Sequence, residues 1–143
     1  MILLDTNVVS ETMRPRPSMK VLDWLDAQRV TQVFVSSVTQ AEMQLGVALL
    51  PSGKRRIDFA RMVDELFNHD FAHRCLPFDQ AAAQLYAKIV AGRQRAGLPI
   101  STEDAQIAAI AMCHGFRLAT RNTADFARIG RLELINPWEA AAP

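Results

Sequence analysis

Hydrophobic and polar positions along this chain follow two alternating rhythms. Short continuous apolar runs of the kind found in buried strands occur at Ile2-Leu3-Leu4, Val33-Phe34-Val35, Cys75-Leu76-Pro77-Phe78, Arg117-Leu118-Ala119-Thr120 and Leu132 to Ile135. Between them, spacings of three and four mark amphipathic helices. The first runs from Val8 to Met13 and is stopped by Arg14-Pro15-Arg16-Pro17. A second carries Val21, Leu22, Trp24 and Leu25. Ser37 and Gln40 have capping-box spacing and open a helix through Leu50, which Pro51-Ser52-Gly53 breaks. A long helix follows with Ile57, Ala60, Val63 and Phe67 on one face. Asp79 is placed to cap a helix striped with Ala82, Leu85, Tyr86 and Ile89, ending at Gly97-Leu98-Pro99. Ser101 opens an alanine-rich helix that closes near Gly115. Arg121 to Asp125 reads as a loop, with a short helical turn at Phe126. Strands alternating with helices predict an α/β fold on a parallel sheet.

The chain has 143 residues, enough for one domain with a real core, and the alanine-rich stretch 139–143 is expected to fray. Half the residues are hydrophobic and the formal net charge is +1, which excludes a disordered chain and confines any basic surface to local groups. Those groups are Lys54-Arg55-Arg56, Arg93 with Arg95, and Arg117 with Arg121, Arg128 and Arg131. No apolar run approaches the roughly 20 residues of a membrane span. Asp5 arrives before any basic segment or long apolar region, so no secretion signal is expected. Cys75 and Cys113 stand far apart without CxxC spacing, which suits buried thiols in a reducing cytoplasm.

Three acids stand out. Asp5 closes the first apolar run, and ligands of open α/β sheets sit beyond the carboxyl ends of strands. Glu42 shares a helical face with Val38, Leu45 and Leu49, and Asp104 shares one with Ile107, Ala108 and Ala111. Both therefore fall where core is expected, near the starts of their helices. Each has an ordinary explanation: an Asx-type turn at Thr6-Asn7 for Asp5, a distant ion pair for Glu42, a capping box with Ser101 for Asp104. Taken together, three carboxylates converging on one sheet edge repel one another unless a cation compensates, which favours a metal site. A fourth contributor is expected from the Thr120 to Asp125 loop. There Asp125 serves either as ligand or as cap of the turn at Phe126, and Asn122 offers a neutral oxygen. Glu103 points about 100° away from Asp104 and is either solvated or a secondary ligand.

All-oxygen ligation selects Mg²⁺ or Mn²⁺ over zinc. His69 and His73 are spaced i, i+4 but lack a third partner, so a solvated helix end is expected there. A nucleophile elbow, a GxGxxG turn and a P-loop are all missing from the sequence.

Four segments then resemble the motifs of PIN-domain ribonucleases, in the VapC-type toxin branch that includes FitB-like proteins. They are Leu4-Asp5-Thr6-Asn7-Val8-Val9-Ser10; Ser36 to Glu42 with Leu45-Gly46; Ser101 to Ala109; and Ala119-Thr120-Arg121-Asn122-Thr123-Ala124-Asp125-Phe126. The ending Asn136-Pro137-Trp138 is similar too. The resemblance implies a single PIN-like domain over residues 1–143, three layers α/β/α around a parallel sheet of four or five strands. It implies Asp5, Glu42 and Asp104 as ligands of Mg²⁺ or Mn²⁺, with Asp125 or Asn122 completing the set. Thr6, Asn7 and Thr120 would orient ligands or substrate phosphate. The implied activity is hydrolysis of RNA phosphodiester bonds in tRNA, rRNA or mRNA, leaving 5′-phosphate and 3′-hydroxyl ends. A small DNA-binding antitoxin would hold the enzyme inactive, and a homodimer in the cytoplasm is implied. Local arginines, Arg121 first and then Arg14 and Arg93, would track phosphates. The apolar surface around Trp24 and Leu25 would serve the antitoxin, a second copy or the core.

Three rivals remain at this point. A haloacid-dehalogenase-type phosphatase would use Asp5 as nucleophile, but wants an acid at Asn7 and a late lysine, whereas the last lysine is Lys88. The others are a non-catalytic PIN-like binding module and a DNA-directed nuclease.

Overall fold

Ile2, Leu3 and Leu4 have no polar side-chain atom to offer solvent, and they form the middle strand of the sheet, β1 (Ile2–Leu4). The computed structural model describes residues 1–140. After β1 come α1 (Thr6–Thr12) and α2 (Met19–Asp26), then β2 (Val33–Ser36) and α3 (Ser37–Leu49). α4 (Lys54–Glu65) widens into one looser turn at Leu66–Asp70 before β3 (Cys75–Leu76). α5 (Gln80–Arg95), α6 (Thr102–His114), β4 (Arg117–Ala119), a short turn at Thr123–Phe126 and β5 (Leu134–Ile135) complete the described chain. The strands lie in the order β3-β2-β1-β4-β5, all parallel. The expected three-layer α/β/α arrangement is thus observed, with five strands.

The strand period of two sends successive β1 side chains to opposite cores. Leu3 packs with Leu118, Phe126, Ile89 and the α6 residues Ile107, Ala108 and Ile110. Ile2 and Leu4 pack on the other face with Val8, Val21, Val35, Met43, Val63 and Phe67. Ala105, Ala108, Ala109 and Ala111 are fully buried, so small side chains let α6 lie close to both the sheet and α5. A larger, branched side chain at any of these alanines would overpack a filled layer. Among the described residues no helix is long and apolar enough to cross a membrane.

Local chemistry explains the helix ends. Asp79 accepts from the Ala82 N–H and Ser101 from the Asp104 N–H, as the spacing predicts. Gly115 closes α6 with φ 67°, a left-handed conformation that glycine adopts without penalty.

Several expectations need correction. The cap of α3 is Ser36, which accepts from the Thr39 N–H at 3.1 Å; Ser37 instead accepts from the Phe78 N–H, and the Ser37–Gln40 box is not made. The buried face of α3 is Val38, Thr39 and Met43, while Leu45 and Leu49 are 58% and 75% exposed. Glu42 is half-buried at the margin of that face. Arg93 is not an exposed phosphate contact: it is 5% exposed and donates to the carbonyls of Ala127 and Pro99. Arg14 is occupied by Glu11 at 3.2 Å. Cys75 and Cys113 are free but only half-buried. Trp24 and Leu25 are half-buried against the α1–α2 core. His69 and His73 are both exposed, as expected. In the stretch expected to fray, the N–H groups of Glu139 and Ala140 donate to the Asn136 carbonyl, and 141–143 lie outside the described residues.

Candidate metal centre

The parallel pairing of Leu4 with Ala119 brings the next residues of both strands, Asp5 and Thr120, together at the sheet's carboxyl edge. The Thr120 hydroxyl donates to Asp5 Oδ2 at 2.7 Å, across 115 residues of sequence. Asp5 Oδ1 accepts the Thr6 N–H at 2.8 Å, so the same carboxylate caps α1. Asp5 thus holds the N–H of the next residue rather than the one two residues on that an Asx turn would use, and this local bond coexists with its contact to Thr120. Each oxygen keeps a further lone pair for a cation.

Glu42 arrives from α3 because β2 passes into that helix without a loop. Its Oε1 accepts from the Thr6 hydroxyl at 2.9 Å. A hydroxyl carries one hydrogen, so the 2.9 Å contact between Thr6 and Thr39 must be donated by Thr39. Thr39 in turn lies 3.4 Å from the Ser36 hydroxyl, which can donate to it. A one-way series Ser36, Thr39, Thr6, Glu42 results, buried at its base. Thr39 and Ser36 were not singled out from sequence as site residues. A threonine in a helix's first turn gives no such signal by itself, although Ser36 could have been found as the better-placed cap.

On the other side, the Thr120 hydroxyl accepts the Asn122 N–H at 3.1 Å and the Asn7 amide at 3.4 Å. Asn7 Oδ1 accepts the Arg121 N–H at 3.3 Å. Thr6, Asn7, Thr120, Arg121 and Asn122 are thus one hydrogen-bonded rim around Asp5. Asn122 joins it through its backbone. Asp125 lies inside the turn Thr123–Phe126, which has no side-chain cap, so the capping alternative for Asp125 is not realised.

Electrostatics ties the acids together. Burial pushes the Asp5 carboxyl up to about 6, with the charges of Asp104 and Glu42 adding and the Thr120 and Thr6 hydrogen bonds opposing. Burial also raises Glu42, reinforced by Glu103 and Asp104 and opposed by Thr6. Asp104 is raised by burial first, then by the charges of Asp125 and Glu103, with Ser101 opposing. Glu103 therefore belongs to the same field as Glu42 and Asp104 rather than standing apart. Among the described residues the one ion pair is Glu11–Arg14, so no salt bridge relieves this acidic edge. Glu11, 6% exposed and not foreseen, accepts the Ser18 N–H at 2.9 Å; that bond, then Arg14, then the charge of Arg121 lower it.

Such a set fits a hard divalent cation: oxygen donors only, mutually repelling, without a protein counter-charge. Among the described residues no three His, Cys, Asp or Glu side chains form a closed cluster able to hold an ion by themselves. Mg²⁺ does not require one, since it keeps several waters and takes one or two carboxylates directly.

Comparison with known proteins places this geometry among relatives. Residues 2–132 match the family model described as PIN domain. The chain is 46% identical over 140 residues to plasmid stability protein StbB of Pseudomonas syringae pv. tomato, covering 98% of this chain and 100% of that protein. It is 43% identical over 141 residues to VapC ribonuclease Y4jK of Sinorhizobium fredii, covering 99% and 100%. Among solved structures, FitAcB from Neisseria gonorrhoeae is similar with TM-score 0.90 and 41% identity, covering 98% of this chain and 100% of that one. A toxin–antitoxin complex from Klebsiella pneumoniae is similar with TM-score 0.70 and 26% identity, covering 98% and 100%.

Proposed function

This chain belongs to the PIN-domain family, and from that premise we propose that it is the endoribonuclease toxin of a toxin–antitoxin pair, dependent on Mg²⁺ or Mn²⁺. Asp5, Glu42 and Asp104 are the principal metal-binding carboxylates, with Asp125 as the outer member of the set. The observation that carries the reading is the unrelieved acidic edge: burial and neighbouring acids raise Asp5, Glu42 and Asp104 alike, and none of the three has an ion-pair partner among the described residues.

A divalent ion, when bound, supplies an activated water and polarises the scissile phosphate. The chain's own groups do the rest. Asp5 and Glu42 are aimed by Thr120 and Thr6, whose hydroxyl hydrogens are both committed to carboxylate oxygens. At position 7, where an aspartyl-phosphate pathway wants a second acid, stands the amide of Asn7, which bonds Thr120 and the Arg121 N–H. The Arg121 guanidinium offers charge to an RNA phosphate at the rim. An open edge of this kind suits single-stranded or looped RNA, whose bases can be splayed out. The Klebsiella complex supports an antitoxin partner, and we extend the reading to a homodimer acting in the cytoplasm.

The test is cleavage of single-stranded RNA by the purified chain with Mn²⁺ or Mg²⁺, with and without EDTA, beside Asp5→Asn. Activity lost in both controls is expected. Cleavage that survives EDTA or the substitution overturns the mechanism, and a preference for DNA in parallel assays overturns the substrate.

A further inference from the structure

Arg121 leaves β4 one residue beyond Thr120, and its backbone N–H is pinned to Asn7 Oδ1 at 3.3 Å. Its guanidinium carbon stands 5.1 Å from the centre of the Trp138 ring. Trp138 is half-buried against the α1–α2 core, and its backbone N–H donates to Asn136 Oδ1 at 3.0 Å, so the ring is a fixed floor. Glu11, an acid that feels the charge of Arg121, is already engaged by Arg14 and the Ser18 N–H. Arg121 is exposed and enters no ion pair among the described residues. Such an arrangement spends an aromatic side chain on orienting a cation whose outer surface is left to solvent, directly beside the residues that aim Asp5.

A guanidinium held over an aromatic ring offers two things at once: a plane on which an unpaired base can stack, and N–H groups for a phosphate. We propose that Arg121, held over the Trp138 ring, is the stacking platform for an unstacked nucleobase of single-stranded RNA next to the cleaved phosphate, with Trp138 as its positioning residue. This rests on the ribonuclease reading above and adds to it how the substrate is seated.

The test measures binding of a fluorescent single-stranded oligoribonucleotide to the full chain carrying Asp5→Asn, in Mg²⁺, so that binding is read without cleavage. In that background Arg121→Ala and Trp138→Leu are each expected to weaken binding by about tenfold, the loss of roughly one stacked base. Trp138→Phe keeps an aromatic floor and should stay within about twofold of the parent. Because Trp138 acts through Arg121, the double substitution should be no weaker than Arg121→Ala alone. Arg121→Lys keeps the charge without the plane and should recover only part of the loss, binding more tightly than Arg121→Ala but several-fold more weakly than the parent. In the otherwise native enzyme the same changes should raise KM while leaving kcat within about twofold. Full binding by Arg121→Lys, additive losses in the double variant, or Trp138→Phe as weak as Trp138→Leu would each overturn the platform while sparing the ribonuclease reading. A parent that binds no RNA at all overturns both. Arg121→Ala alters an exposed side chain, so its result stands even where Trp138→Leu lowers the melting temperature.

Discussion

Asp5 carries two duties that pull against each other. It caps α1 and pairs with Thr120, yet burial and its acidic neighbours lift its pKa from 3.8 to about 6. A carboxyl whose folded pKa is raised favours the folded state at low pH, and that contribution is lost as pH climbs through the folded value. The rise corresponds to about 3 kcal/mol. Metal-free chain is therefore expected to lose stability between about pH 4 and pH 6, and to regain it on binding Mg²⁺. Asp5→Asn, which has no charge to bury, should lack this loss and melt higher than the parent near neutral pH while being inactive. Urea titrations in EDTA across that range check it; parallel curves for the two proteins would contradict the assignment. The residue is legible in sequence because an acid directly ending a three-residue apolar run has few other places to go.

At the level of elements, the helix starts decide where the other acids stand. Ser36 both caps α3 and begins the hydroxyl series that ends on Glu42. Ser36→Ala should cost about 1 kcal/mol from the lost cap, read as a shift in denaturation midpoint. By loosening Thr39 it should also raise the metal concentration needed for half-maximal activity. A stability loss without any change in metal response would show that the series does not reach Glu42. Two adjacent serines made this cap ambiguous in sequence, since Ser37 has a glutamine at the box position. The apolar spacing of Val38, Leu45 and Leu49 was equally ambiguous, because period alone does not say which side of a peripheral helix meets the core. α6 was plainer: the Ser101 cap and the stop at Gly115 are both found where the sequence places them, although sequence alone left Asp104 open between a capping box and the site.

Across the whole molecule, the order of elements and the four motifs were readable because parallel α/β units repeat one local pattern, while burial of charge was not. Arg93 near the end of a helix looks like a surface cation, yet the Ala127 and Pro99 carbonyls close over it, leaving only its Nε without a partner. It thereby joins the segment entering α6 to the one leaving Asp125. Arg93→Met, which keeps the stem and deletes the donors, is expected to cost about 1 to 2 kcal/mol, chiefly from the half-buried Ala127 carbonyl, since the exposed Pro99 can turn to water, measured by chemical denaturation. A loss below about 0.5 kcal/mol, the size of an ordinary surface change, would mean that those bonds contribute little.

The bond between Thr120 and Asp5 joins residues 115 apart, so it can form only after β4 has followed β1 out of the ribosome. Until β4 is made and docks against β1, Asp5 lacks the Thr120 hydroxyl that holds its carboxylate. On the ribonuclease reading proposed above, a chain still being synthesised among ribosomal and messenger RNA is expected to cut none of it before β4 has docked.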